Sequence, residues 1–387
     1  MRSSFKVSDV PALVIDTFGL DVVVETELDS YDDQNFLVKV NPKSTKPVNI
    51  QQFCQHGYVL KILNSDDSKN PDIIGVQTRM ILHLAKKGFP TPEPVLSVNA
   101  NYQEEVQATY STDNGCIHSK HIARLFEFKP GKTLDKVPLT TQLCYEIGLG
   151  AGRLDLTLQS LNISDESLSS MKSKWNLSEL PGLRTSTHVI SSNQQRAVVE
   201  KIIDEFEECL STNYDCFSKG LIHGDLNECN ILVEKHSTCN SSKSFRTNQE
   251  QQNVENNNES KVSGPDDGYG LCSIIDFGDS VYSPYVFEVA IAITYVMLNK
   301  HGIPPLEGAH YVLKGYLEHI KLTDLELKYL RIFICARLTQ SLIMGNIAHS
   351  KDPENEYILI HVKRIWPVLE NLWRKSNNEV FNEIIKC

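Results

Sequence analysis

Two short segments constrain this chain more than anything else in it: LIHGDLNECNIL at residues 221–232 and IIDFGD at residues 274–279. Each is bounded by apolar residues of strand type, so each reads as a tight loop hung from short strands. Asp225 follows His223-Gly224, Asn230 comes five residues later, and Asp276 opens D-F-G. Phosphoryl transfer from a nucleotide needs this set. One carboxylate takes or orients the acceptor's hydroxyl proton, while an amide and a second carboxylate hold Mg²⁺ against phosphate oxygens. Asp225 is therefore the candidate base, and Asn230 and Asp276 are the candidate metal ligands. An Asx turn at Asn230, or a turn cap at Asp225, would leave the rest of the spacing unexplained. His223 reads as a buttress of the loop and of the D-F-G backbone. Asp279 could orient the loop or meet a cationic acceptor, and Glu288 could pair with a buried arginine such as Arg337. A purely structural role is the simpler expectation for both.

The rest of the chain supplies a plan for these loops. Residues 21–28, 36–40 and 58–63 alternate as strands, and a helix follows from 71 to Gly88, where Pro90, Pro92 and Pro94 prevent its return. Strands are expected at 95–99, 106–110 and 121–128. After Pro138 the periodicity turns helical, with helices expected over 140–161, 194–210, 287–298, 306–318, 324–342 and 356–373. The fold class is thus α+β, a small β-rich N-terminal lobe over 1–128 and a larger, mostly helical lobe over 129–387. Residues 235–268 are rich in Ser, Asn, Gln and Glu. Such a segment of roughly 34 residues cannot bury enough apolar surface to offset its ordering entropy. It reads as a disordered, functionally inert insertion between two short strands.

Lys61 stands in YVLKIL, alternating against apolar neighbours, where a strand lysine can reach nucleotide phosphates. The usual carboxylate helper on the next helix is replaced by Gln77, an amide that can hydrogen-bond a lysine without neutralising it. The other acids nearby are Asp66, Asp67 and Asp72. No G-x-G-x-x-G occurs in the first 60 residues, and the turn from Ser30 to Asn35 takes the place of a phosphate-covering loop. Its Asp32 and Asp33 would repel phosphate unless they point outward or meet a cationic acceptor. Glu127 and Lys129 lie at the Pro-Gly-punctuated connection where backbone would meet the base edge of a nucleotide.

Composition narrows the class further. A chain of 387 residues with 41% hydrophobic and 22% charged residues buries a core without staples. A net charge of −11 argues against nucleic acid or an anionic membrane as partner and suits a cationic small substrate. The ten cysteines form no C-x-x-C, which argues against structural zinc and for free thiols in a reducing cytoplasm. The N-terminus lacks an apolar signal core, and the longest apolar run, 286–298, is too short to span a bilayer.

With these segments in view, the chain resembles the aminoglycoside phosphotransferase and choline kinase family, in which H-G-D replaces the H-R-D of protein kinases. Within that family, ELDSYDDQNFLVKV, YVLKILN, VQTRMILHLAKKGFPTPEPV, ARLFEFKPGKTL and the two motifs resemble the branch that phosphorylates 5-hydroxy-L-lysine. Gln77 and the D-D-Q-N turn look normal for that branch. The resemblance implies a protein-kinase-like bilobal fold and a cytoplasmic enzyme moving the γ-phosphoryl group of GTP, with Mg²⁺, to the 5-hydroxyl of 5-hydroxy-L-lysine. Physics alone leaves GTP and ATP open. It also leaves open kinases of homoserine, choline, ethanolamine or aminoglycosides, a protein kinase, and a non-catalytic nucleotide-binding protein.

Overall fold

The computed structural model describes residues 2–41, 50, 52–112, 115–235, 268–351 and 357–385. The polar insertion expected over 235–268 lies, apart from its two end residues, outside the described residues. Two compact units are present: residues 1–86 with 91–130, and residues 87–90 with 131–387.

The first unit is an antiparallel sheet with two helices. Helix α1 spans Val10–Phe18, followed by β1 (Val22–Leu28), β2 (Gln34–Val40) and β3 (Tyr58–Ile62). Helix α2 (Pro71–Lys86) precedes β4 (Pro94–Val95), β5 (Glu104–Thr112) and β6 (Gly115–Glu127). The sheet order is β1-β2-β3-β6-β4, with β5 also paired to β6. Strand alternation decides which side chains face the core. Phe36 and Val38 of β2 and Tyr58, Leu60 and Ile62 of β3 pack with Val10, Val14 and Phe18 of α1. Lys61 and Asn35 therefore share the opposite face, directly across the β2–β3 ladder.

The second unit is mostly helical. Its strands are β7 (Lys132–Thr133), β8 (Lys219–Ile222), β9 (Ile231–Lys235), β10 (Tyr269–Ile274) and β11 (Val281–Pro284). The helices preceding β8 are α3 (Thr141–Leu158), α4 (Asp165–Ser170) and α5 (Asn193–Asn213). After β11 come α6 (Tyr285–Leu298), α7 (Pro305–Leu317), α8 (Asp324–Lys328), α9 (Leu330–Lys351), α10 (Tyr357–Trp373) and α11 (Asn377–Ile385). Every residue of α6 is buried, as its unbroken apolar run predicts. Helices α3 and α7 cross with backbones in contact, because a Cβ on Gly148 would overlap the Val312 carbonyl. Among the described residues no helix is long and apolar enough to cross a membrane. The seven cysteines whose side chains are described carry free thiols.

Three expectations need correction, and one helix was missed. The single helix expected over 324–342 is two, because the chain breaks at Tyr329 (φ −95°, ψ 2°) after a capping box of Thr323 and Glu326. The strand expected over 95–99 is only Pro94–Val95, because Ser97 to Ala100 closes a turn whose Ala100 takes φ 62°. The last strand of the first unit begins at Gly115 rather than at 121, extended by its long ladder with β5. Helix α1 was not anticipated, although Val10, Val14 and Phe18 recur at helical spacing and all are buried.

Candidate active site

Two ladders bring the motif residues of the second unit together. β8 pairs with β11 through Ile222 opposite Val281, and β9 pairs with β10 through Ile231 opposite Ile274. The loop 223–230 and the turn 275–280 thus each run between the same two ladders and are held at both ends. Gly224, at φ 78°, lets them touch: a Cβ there would lie 2.6 Å from the Asp279 carbonyl oxygen.

The loop is braced from below. Buried Glu288 of α6 accepts hydrogen bonds from the backbone N–H groups of His223 (3.0 Å) and Gly224 (2.9 Å). Glu288 therefore serves the loop's backbone, the structural role expected of it, and Arg337, the alternative partner, pairs elsewhere. Burial pushes the Glu288 pKa up to about 7, against the lowering effect of those N–H groups. His223 is fully buried, packs its ring 4.8 Å from that of Phe277, and bonds Ile275 O through Nε2 at 2.9 Å. The carbonyl can only accept, so Nε2 carries the hydrogen and Nδ1 accepts from Asp225 N at 3.3 Å. His223 is the buttress its position predicts.

Asp225 and Asn230 are in direct contact. Asn230 Nδ2 donates to Asp225 O (2.9 Å) and to Asp225 Oδ2 (3.0 Å), and Asn227 Nδ2 donates to the same Oδ2 at 2.6 Å. Both Asn230 donations come from its nitrogen, so its Oδ1, a hard oxygen suited to Mg²⁺, is not taken up by the loop. Asp276 takes φ 64°, a left-handed conformation Asp tolerates, and its Oδ1 accepts from Gly278 N at 3.2 Å. Its exposed carboxylate lies close enough to raise the Asp225 pKa electrostatically. An amide oxygen and one exposed carboxylate fit an ion that keeps several waters and leans on substrate phosphates. Among the described residues no group of three or more His, Cys, Asp or Glu is arranged to hold a metal.

Arg337 of α9, fully buried, forms an ion pair with Asp225 Oδ1. Burial raises the Asp225 pKa, and this guanidinium is the largest influence opposing it. Asp279 Oδ1 accepts from Ser173 Oγ at 2.6 Å, and burial, then the charge of Asp225, pushes its pKa up to about 7. Asn227 and Ser173 were not singled out from the sequence, and Arg337 was named there only as a possible partner of Glu288, not of Asp225. Asn227 is inside the motif, but Ser173 and Arg337 come from elements far from it.

In the first unit, Lys61 Nζ lies 3.2 Å from Asp33 Oδ2, both side chains 13% exposed. Asp33 Oδ1 accepts from Asn64 N (2.8 Å) and Asn64 Nδ2 (3.1 Å), which fastens the hairpin turn to the end of β3. The acid at Lys61 thus comes from the turn that carries Ser30, and Asp33 points inward rather than out. Gln77 is buried on α2, beside Thr78, whose Oγ1 accepts from Arg124 Nη2 at 2.8 Å. Glu127 closes β6 and pairs with Lys129 at 3.2 Å.

The sequence profile of the phosphotransferase enzyme family matches residues 31–239. The chain is 33% identical to a hydroxylysine kinase of Bos taurus over 392 aligned residues, covering 100% of this chain and 94% of that one. It is 31% identical to a hydroxylysine kinase of Mus musculus, covering 99% and 94%. Among solved structures, amicoumacin kinase hAmiN in complex with AMP-PNP, Ca²⁺ and Ami superposes with a TM-score of 0.62 at 17% identity, covering 97% of each chain. That likeness shows the fold: kinase-like, α+β, with an antiparallel-sheet unit and a helical unit.

Proposed function

We propose a specific reaction for this chain, which belongs to the phosphotransferase enzyme family and is a small-molecule kinase acting on an alcohol. The γ-phosphoryl group of GTP passes to the 5-hydroxyl of 5-hydroxy-L-lysine, giving 5-phosphohydroxylysine and GDP in the cytoplasm. Asp225 takes the hydroxyl proton as the new oxygen–phosphorus bond forms and the bond from the γ-phosphorus to the β–γ bridging oxygen breaks. Asn230, through Oδ1, and Asp276 would hold Mg²⁺, which when bound neutralises charge on the phosphate oxygens. Residues of the first unit bind the nucleotide: Lys61 with Ser30, Asn35 and Gln77 for the phosphates, Glu127 and Lys129 toward the base.

What supports this reading most is one contact: a carboxylate and an amide held side by side on a doubly anchored loop, the amide's oxygen left over. The likeness to hydroxylysine kinases supplies the acceptor, and the net charge of −11 suits its two ammonium groups. The test is a panel of hydroxylysine, homoserine, choline, ethanolamine and an aminoglycoside crossed with GTP and ATP. Hydroxylysine with GTP should give the highest kcat/KM, and Asp225→Asn should lower kcat by roughly 10² or more. Turnover of choline or homoserine alone would sink the acceptor and spare the kinase.

A further inference from the structure

We propose that Arg337 is the positioning residue of the base, fixing which oxygen of Asp225 can receive the acceptor's proton. The inference rests on the reading of Asp225 as that base. A carboxylate offers about four lone-pair sites. On Asp225, Oδ2 accepts from both Asn227 and Asn230, and Oδ1 accepts from Arg337. One site is left, the second lone pair of Oδ1, directly beside the guanidinium. The acceptor hydroxyl is received there, and the proton goes to an oxygen whose direction Arg337 sets.

The guanidinium is suited to this because it cannot turn. Nη1 donates to Trp175 O (3.1 Å) and Gln340 Oε1 (3.0 Å), and Nε donates to Tyr295 Oη (3.3 Å). The rings of Trp175 and Tyr295 lie 4.9 and 5.5 Å from its central carbon. A planar fork with all three nitrogens engaged holds its partner in one orientation, and a lysine ammonium has no such fork. The same arginine ties the Trp175 segment to α9, and Ser173 of that segment bonds Asp279.

The experiment is a double-mutant cycle in the full chain, with Arg337→Lys as the conservative change and thermal unfolding recorded for each variant. Arg337→Lys should lower kcat about tenfold to a hundredfold with KM for both substrates within about twofold. In the Asp225→Asn background the same change should lower kcat by less than about twofold, because the group it orients is gone. An equal loss in both backgrounds, a loss confined to KM, or wild-type kcat in folded Arg337→Lys would overturn the proposal. Should Arg337→Lys unfold below assay temperature, Tyr295→Phe removes one brace and keeps the charge. Its kcat loss should be about threefold and should vanish in the Asp225→Asn background, and persistence there would overturn the proposal. Wild-type kcat for Asp225→Asn alone would instead sink the base assignment, a different failure from additivity between the two changes.

Discussion

The two units hold their functional charges in opposite ways. In the first, Lys61 is met by Asp33 from a hairpin turn, and that turn is tied to the end of β3 through Asn64. In the second, Asp225 is met by Arg337 from the middle of a buried helix, and the arginine is braced on every nitrogen. In the first pair neither side chain is fully buried, so either can regain water if the other is removed, and such a pair contributes little to stability. The second pair is costlier to break, because Arg337 is fully buried and its charge is the largest influence opposing the desolvation of Asp225. The sheet unit is therefore built to adjust around a ligand, and the helical unit to hold still.

Arg337→Met attacks that contrast at its strongest point. It should destabilise the protein by roughly 3–5 kcal/mol in urea unfolding; a loss below about 1 kcal/mol would make the two pairs alike. Asp155→Asn sharpens it from another side. Asp155 of α3 is fully buried, accepts from Tyr316 Oη, and burial raises its pKa well above the carboxylate range. A group with a raised native pKa binds its proton in the folded state after the unfolded chain has released it, so it costs stability as pH rises above its unfolded value. The neutral Asn variant should gain on the wild type from about pH 4 upward, by at most about 1.4 kcal/mol per pH unit, measured as the difference in unfolding free energy across pH. A flat difference would mean that Asp155 is ionised in the core.

Asp33→Asn should shift stability by less than about 1 kcal/mol while raising the nucleotide KM about two- to fivefold, the worth of a weak ion pair. An unchanged KM would separate Asp33 from nucleotide binding. Smallest of all, deleting residues 240–265 should leave kcat and KM as they were. Lys235 and Tyr269 are ladder partners that stay paired whatever joins them, and a large loss of activity would show that the insertion acts on the site.

Much of this was legible in the sequence where function and local pattern coincide. The motif loops, the buried helix α6 and the alternation placing Lys61 off the core face all follow from spacing and period. What stayed hidden depends on tertiary placement. Arg337 lies 112 residues from Asp225, inside a helix so uniformly buried that no stripe marks its special side. Asp33 looked like a liability in a phosphate loop because nothing local says that a turn folds back onto Lys61. Glu288 has the structural role expected of it, but its partners, two backbone amides of the loop, could not be read from the sequence.

Those two amides carry a kinetic consequence. The N–H groups of His223 and Gly224 are bonded to a carboxylate on a helix whose every residue is buried, rather than to a neighbouring strand. A local opening of the loop would leave the buried Glu288 carboxylate without these two donors, which makes such an opening costly. The loop over 223–230 should therefore lack a local fraying mode of its own. On warming, activity and global structure should be lost in one step, with no intermediate stage in which the fold survives and the loop has melted.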